Sequence, residues 1–253
     1  MSWPAGSTAF VTGATSGFGA AITRRFVREG WNVVAAGRRV DRLDALRAEL
    51  GPQVSTLVLD VRDRAAVMAA AEAVPEAWRP LRVVVANAGL AVGLETADMA
   101  NLDDWDAMVD TNVRGLMYTI RALVPQMVAG GGGHVITMGS VAGLYPYPGG
   151  NVYGATKAFV AQLALNLRAD LVAKGIRSTD IEPGMAETEF AVVRFKGDAT
   201  KAAKVYEGME PMTADDIAEA VWWAVSQPRN VNINRIEMMA GQQGFGPFQV
   251  VRT

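Results

Sequence analysis

Three residues between positions 140 and 157 carry side chains suited to proton chemistry at a carbonyl: Ser140, Tyr153 and Lys157. Tyr153 and Lys157 are four apart in the run Asn151-Val152-Tyr153-Gly154-Ala155-Thr156-Lys157, so a helix places them on one face, one turn from each other. A phenol beside an ammonium has its anion stabilised, and its pKa is expected to fall from about 10 toward the working range of an acid or base. Ser140 ends the apolar run Val135-Ile136-Thr137-Met138, which reads as a buried strand, and offers a hydroxyl to the same space. Together the three groups can polarise a carbonyl, protonate its oxygen and run the reverse step on an alcohol. A tyrosine and a lysine at this spacing also occur on ordinary surface helices, so the surrounding elements decide.

Those elements alternate. Apolar runs predict strands over 7–11, 32–37, 54–59, 81–86, 135–138, 177–181 and 234–238. Helical patterns fall between them over 39–50, 65–74, 103–127 and 152–172, and from an N-cap at Thr213 through Val225. Strand and helix in turn argue an α/β fold, one doubly wound parallel sheet of seven strands with helices on both faces. The 185–210 stretch, which carries Arg194, Lys196, Lys201 and Lys204, is either a lid over a site or an exposed pair of short helices. Asn112 and Gly115 interrupt the 103–127 pattern at its middle, where a kinked helix can bind an ordered water.

The first strand runs into Thr12-Gly13-Ala14-Thr15-Ser16-Gly17-Phe18-Gly19 and then a helical pattern. Glycines here let the backbone turn and approach a ligand, and a helix N-terminus offers free N–H groups to phosphate, so a dinucleotide site is expected. An acid at the tip of the second strand would take the ribose hydroxyls of NAD. The sequence has Gly37-Arg38-Arg39 instead, and a guanidinium suits a 2′-phosphate in charge and geometry, which favours NADP.

The 253 residues suit one large domain, half of them hydrophobic and a fifth charged. A net charge of −2 with scattered basic residues does not point to nucleic acid or an anionic membrane. There is no cysteine, so disulfide and thiolate chemistry are excluded, and a cytoplasmic setting fits. The N-terminus lacks a signal-peptide pattern, and no apolar run is long enough to span a bilayer. His134 is the single histidine and sits at a strand entrance, which reads as structural; no metal site is expected.

The glycine-rich run, Asn87-Ala88-Gly89, Asn112, Ser140, Tyr153-x-x-x-Lys157 and Pro183-Gly184 with Thr188, in this order, resemble the short-chain dehydrogenase/reductase family over essentially the whole chain. Within it the chain is most similar to the NADP-dependent 3-hydroxy acid dehydrogenases. The narrower match covers Gly37-Arg38-Arg39, Tyr147 through Phe159, Asp180-Ile181-Glu182-Pro183-Gly184, Thr188-Glu189-Phe190, 193–198 and 231–234. Ala86 departs from the family, which more often has Asn there, and its side chain is expected to point away from the cofactor. The tail from Gly241, with Phe245 and Phe248, matches less well.

The resemblance implies a single-domain Rossmann fold and a homotetramer. Tyr153 would be the general acid or base, Lys157 its tuner and a ribose anchor, Ser140 the partner of the substrate oxygen, and Asn112 the holder of a water leading from Lys157 to solvent. Asp60 and Val61 would flank the adenine, 87–89 the ribose, and Thr188 the nicotinamide amide. For an acidic substrate, Arg194 is the first candidate to receive the carboxylate or sulfonate, with Tyr147 and Asn151 beside it. The expected reaction joins a small 3-hydroxy acid to its semialdehyde or keto form. The alternatives are a reductase of sulfoacetaldehyde or of another aldehyde or ketone, including 3-ketoacyl substrates, and a nucleotide-sensing protein without turnover.

Overall fold

The computed structural model describes residues 3–245, so Phe248 lies outside the described residues. Seven strands, β1 (Thr8–Thr12), β2 (Asn32–Gly37), β3 (Val54–Val58), β4 (Leu81–Ala86), β5 (Gly133–Met138), β6 (Ile176–Pro183) and β7 (Arg235–Met238), form one parallel sheet. Their order is β3-β2-β1-β4-β5-β6-β7, so the chain reverses its direction of growth between β1 and β4. Crevices for ligands open at the carboxyl ends of strands at such a reversal.

The helices are α1 (Gly17–Arg28), α2 (Val40–Leu50), α3 (Arg64–Ala69), α4 (Leu102–Val109), α5 (Leu116–Ala129), α6 (Asn151–Leu171), α7 (Phe190–Arg194), α8 (Ala199–Lys204) and α9 (Ala214–Ser226). Strands buried on both faces read as continuous apolar runs, and alternate residues serve opposite cores. Ala9, Val11, Val33 and Ala35 meet α1, α2 and α9 on one face. Phe10, Val34 and Ala36 meet α3, α5 and α6 on the other. Ala86 is packed into that second core, as its apolar type predicts.

The predicted helix over 103–127 is two helices joined by a π-helical stretch, Asp110–Gly115. The wider turn lets Asn112 reach sideways to the chain after β4, and it brings Gly115 so near β3's exit that an added Cβ would lie 2.7 Å from Val61. Thr213 caps α9 as predicted, in a reciprocal capping box with Asp216. The 185–210 stretch holds two short helices, α7 and α8, and α7 lies across the crevice.

Candidate active site

A cavity of about 340 Å³ opens at the strand tips, in the size range of small-molecule sites. Every residue expected at the cofactor lines it except Gly19. Gly19 stands just behind, where a methyl group would run into the Gly13 carbonyl; it lets α1 pack against the loop. Gly13 has φ of +68°, and a Cβ there would meet the Asn87 amide at 2.8 Å, so glycine is required on both counts. Asn87 in turn donates to Thr12 O at 2.9 Å, while the Thr12 hydroxyl accepts from the Asn87 and Ala88 N–H groups at 3.1 Å each. The tips of β1 and β4 are thereby fixed to each other at the topological reversal.

Helix α1 points its N-terminus into this cavity. Among the described residues, the Ser16 side chain makes no capping bond and the first turn has no acid. Its free N–H groups and dipole suit a phosphate. Arg38 reaches out beside Asp60 at 4.0 Å, and Arg39 lies against Thr15. The cradle, the uncapped helix and the basic pair fit a phosphorylated dinucleotide.

At the other end of the cavity, Tyr153 is 7 % exposed and Lys157 6 %. Lys157 Nζ donates to Met138 O at 2.7 Å and stands 5.8 Å from the centre of the Tyr153 ring. Burial lowers the Lys157 ammonium to about 8, opposed by the charge of Asp180. Burial also pushes the Tyr153 phenol up to about 12, against the opposing pull of the Ser140 hydroxyl and the Arg194 charge. The expected fall of the Tyr153 pKa beside Lys157 is therefore corrected. Desolvation of the phenolate outweighs its neighbours, and the phenol stays protonated.

The Ser140 hydroxyl donates to Pro183 O at 3.2 Å and accepts from Ala142 N at 3.1 Å. Asn112 exchanges two 2.8 Å bonds with the Leu90 backbone and donates to Thr156 Oγ1 at 3.1 Å. Its side chain thus ties the β4 exit to α6. Arg194 extends from the end of α7 over the Tyr153 ring, 5.5 Å from its centre, and donates to the Tyr147 hydroxyl at 2.6 Å. Among the described residues its buried Nε has no hydrogen-bond partner. Asn151 donates to Glu95 O at 3.0 Å, and none of the three residues expected at the substrate acid group, Tyr147, Asn151 and Arg194, lines the cavity itself. Lys196 pairs with Asp104 at 2.8 Å, and His134 is buried against Thr179, as a structural histidine should be.

Two sets of groups here were not assigned from sequence. Glu189 joins Arg39 and Arg42, and no local pattern announces that contact across 150 positions of chain. Asp180 and Glu182 alternate on β6 and so share a face, both buried. Thr137 donates to Asp180 at 2.6 Å and Arg235 lies 3.4 Å from Glu182, yet Asp180 Oδ2 and both Glu182 oxygens have no hydrogen-bond partner among the described residues unless a proton lies between the two carboxyls. Burial pushes Asp180 up to about 6; burial and then the charge of Asp180 push Glu182 up to about 7.

The profile of the family described as short chain dehydrogenase matches residues 7–199. An NADP-dependent 3-hydroxy acid dehydrogenase of Salmonella typhi is 54% identical over 244 residues, 96% of this chain and 98% of that protein. A serine 3-dehydrogenase of Agrobacterium fabrum is 49% identical over 245 residues, 97% of this chain and 98% of its own. The closed form of a serine dehydrogenase complexed with NADP+ superposes with a TM-score of 0.95 at 50% identity, covering 97% of this chain and all of that one.

The carboxyl pair predicts a pH-dependent stability. A carboxyl whose pKa is raised on folding stabilises the protein fully below its unfolded value, near 4.5, and loses that contribution as pH rises through about 7. Glu182→Gln is therefore expected to raise Tm at pH 8 by roughly 2–4 °C and to leave it nearly unchanged at pH 5. Thermal melts across that interval check the sign; equal shifts at both pH values would show that the two carboxyls share no proton.

Proposed function

The chain belongs to the short chain dehydrogenase family, and from that membership we propose that it transfers a hydride between NADP and a small 3-hydroxy acid or its semialdehyde or keto form. One observation carries the reading: a buried phenol, Tyr153, lines the same cavity as Ser140, Lys157 and the glycine-rich loop, and Arg194 lies over its ring from outside that lining. The reading takes the chain as one NADP-binding domain with a lid over 185–210.

Bound NADP supplies or accepts the hydride. Tyr153 gives its phenolic proton to the substrate oxygen in reduction and takes one back in oxidation. A phenol near 12 is protonated at neutral pH, which suits the reductive direction on a semialdehyde. Lys157 places positive charge beneath the ring, and in this reading it also holds the ribose hydroxyls. The Ser140 hydroxyl, which donates to Pro183 O, can turn to the substrate oxygen. Asn112 stands beside Lys157, about the same glycine, Gly89, and fits a water path from that lysine to solvent. Of the residues lining the cavity, Asp60 and Val61 would hold the adenine, Asn87 to Gly89 the ribose, and Thr188 the nicotinamide amide.

Arg194 is the carboxylate clamp in this scheme. Among the described residues its Nε lacks a hydrogen-bond partner, and its guanidinium is held over Tyr153 by the Tyr147 hydroxyl, so an anion there would meet a prepared donor. A sulfonate would be received in the same way, which keeps sulfoacetaldehyde among the substrates to be compared. A protein that only sensed nucleotide would have no use for the Ser140, Tyr153 and Lys157 set.

We extend the proposal to a cytoplasmic homotetramer. Exposed Met117 on α5 and Phe159 and Leu165 on α6 support a second copy packing on those helices. Among the described residues no helix is long and apolar enough to cross a membrane.

Two measurements test the chemistry. Tyr153→Phe is expected to bind NADPH normally and lose about a hundred- to ten-thousandfold in kcat, the range for a positioned acid or base; near-normal turnover would remove Tyr153 from the mechanism. Arg194→Ala is expected to raise KM for malonic semialdehyde roughly ten- to a hundredfold, as for a lost charge-assisted hydrogen bond, and to spare a neutral aldehyde of similar length. Equal effects on both aldehydes would dismiss the clamp.

A further inference from the structure

The two arginines at the tip of β2 are not in equivalent situations. Arg38 is 59% exposed, and its one ion-pair neighbour among the described residues, Asp60, is 4.0 Å away. Arg39 is engaged on two sides. Its Nε donates to Thr15 Oγ1 at 3.3 Å and its Nη2 to Thr15 O at 3.1 Å, which fixes the guanidinium to the glycine-rich loop. Its Nη1 donates to Glu189 Oε2 at 2.8 Å, and the other Glu189 oxygen meets Arg42 Nη2 at 3.3 Å. The two arginines, Arg39 first, hold the Glu189 carboxyl below the usual carboxylate range.

Glu189 is the residue immediately before α7. The preceding residue, Thr188, packs on the glycine-rich loop, where its Cβ would lie 3.4 Å from a Cβ on Gly17. At the far end of α7, Arg194 covers Tyr153 and its carbonyl accepts from Gly93 N at 3.0 Å. The helix has only five residues, about 7.5 Å, so it passes the position of one end to the other with little slack.

We infer that Arg39 and Glu189 form a latch that draws the lid onto the glycine-rich loop and so sets Arg194 over Tyr153, leaving Arg38 as the guanidinium free to receive the 2′-phosphate. This rests on the cavity being the NADP site. Glu189 is a positioning residue: it lines the cavity with both carboxyl oxygens engaged by Arg39 and Arg42, and it acts through α7. The latch orders the substrate end of the cavity, while the cofactor's extra phosphate is read by a side chain that the lid does not use.

Glu189→Gln keeps the size of the side chain and removes its charge. An ion pair this exposed is worth roughly two- to fivefold in an equilibrium. In the free protein, trypsin is expected to cut at Arg194, Lys196, Lys201 and Lys204 about two- to fivefold faster than in the parent. KM for malonic semialdehyde is expected to rise by a similar factor, with the NADPH Kd within about twofold of the parent value, and Glu189→Asp should restore part of the loss. An unchanged cleavage rate would overturn the latch. So would a change in NADPH affinity larger than the change in KM, in either direction, since Glu189 would then be serving or opposing the phosphate. Failure of the parent protein to bind NADPH would instead dismiss the cofactor reading, and the cleavage assay does not depend on it.

Discussion

The hydrogen bond from Lys157 Nζ to Met138 O joins the second turn of α6 to the tip of β5. It also explains why the surrounding backbone is rich in small residues. A Cβ on Gly143 would lie 2.8 Å from the Lys157 carbonyl carbon, and one on Gly154 would lie 2.8 Å from the Ala142 carbonyl oxygen. Strand exit and helix are pressed together with no room for a side chain between them. Only at that distance can Ser140, which leaves the strand, and Tyr153, which enters the helix, serve the same small volume. The glycines set the approach, and the lysine holds it from within.

That closeness has an electrostatic cost. Burial raises the Tyr153 phenol and lowers the Lys157 ammonium, so each is drawn toward its neutral form. Asp180, one strand over, opposes the change at Lys157, and it stands so near the strand exit that a Cβ on Gly139 would run into its carboxylate. Asp180 is itself buried, and the Thr137 hydroxyl donates to it at 2.6 Å. A row of charged side chains thus runs from Lys157 through Asp180 and Glu182 to the β7 edge, where Arg235 meets Glu182 at 3.4 Å. A fully apolar environment would leave the lysine neutral, and a fully wet one would lose the ordering of Ser140 and Tyr153.

Much of this was legible in the sequence because the strands are buried on both faces and read as plain apolar runs between helical patterns. The site followed from the same source: glycine-rich turns, Asn87-Ala88-Gly89, Ser140 and Pro183-Gly184 all fall at strand ends, and strand ends of a parallel sheet meet along one edge. Local patterns failed where distance in three dimensions outweighed spacing along the chain. The Tyr153 pKa was misjudged because a four-residue spacing reports a neighbour but not desolvation. Asn151, the first residue of α6, bonds Glu95 O, a partner 56 positions away that no local spacing announces. The break in the 103–127 helix was marked by Asn112 and Gly115, yet the π-helical form it takes depends on Leu90, Thr156 and Val61, three partners from other elements.

The adenosine end of the cavity shows how such partners work together. Asp60 lies between Arg62, at 2.6 Å, and Arg38; Glu189 lies between Arg39 and Arg42. Each acid therefore has one arginine at the cavity and one behind it. Without the outer pair, the acids would cancel the positive charge of the cavity mouth and leave no net charge to attract a phosphate. With it, four guanidiniums face two carboxylates, and the mouth stays positive in a chain whose net charge is −2. An approaching polyanion is thus attracted locally by a protein that would repel it at long range, and screening by salt over about 8 Å leaves the local term in command. Arg42 and Arg62 need touch no ligand to matter. They let the acids hold the start of α7 and the β3 exit without spoiling the field that draws the cofactor in.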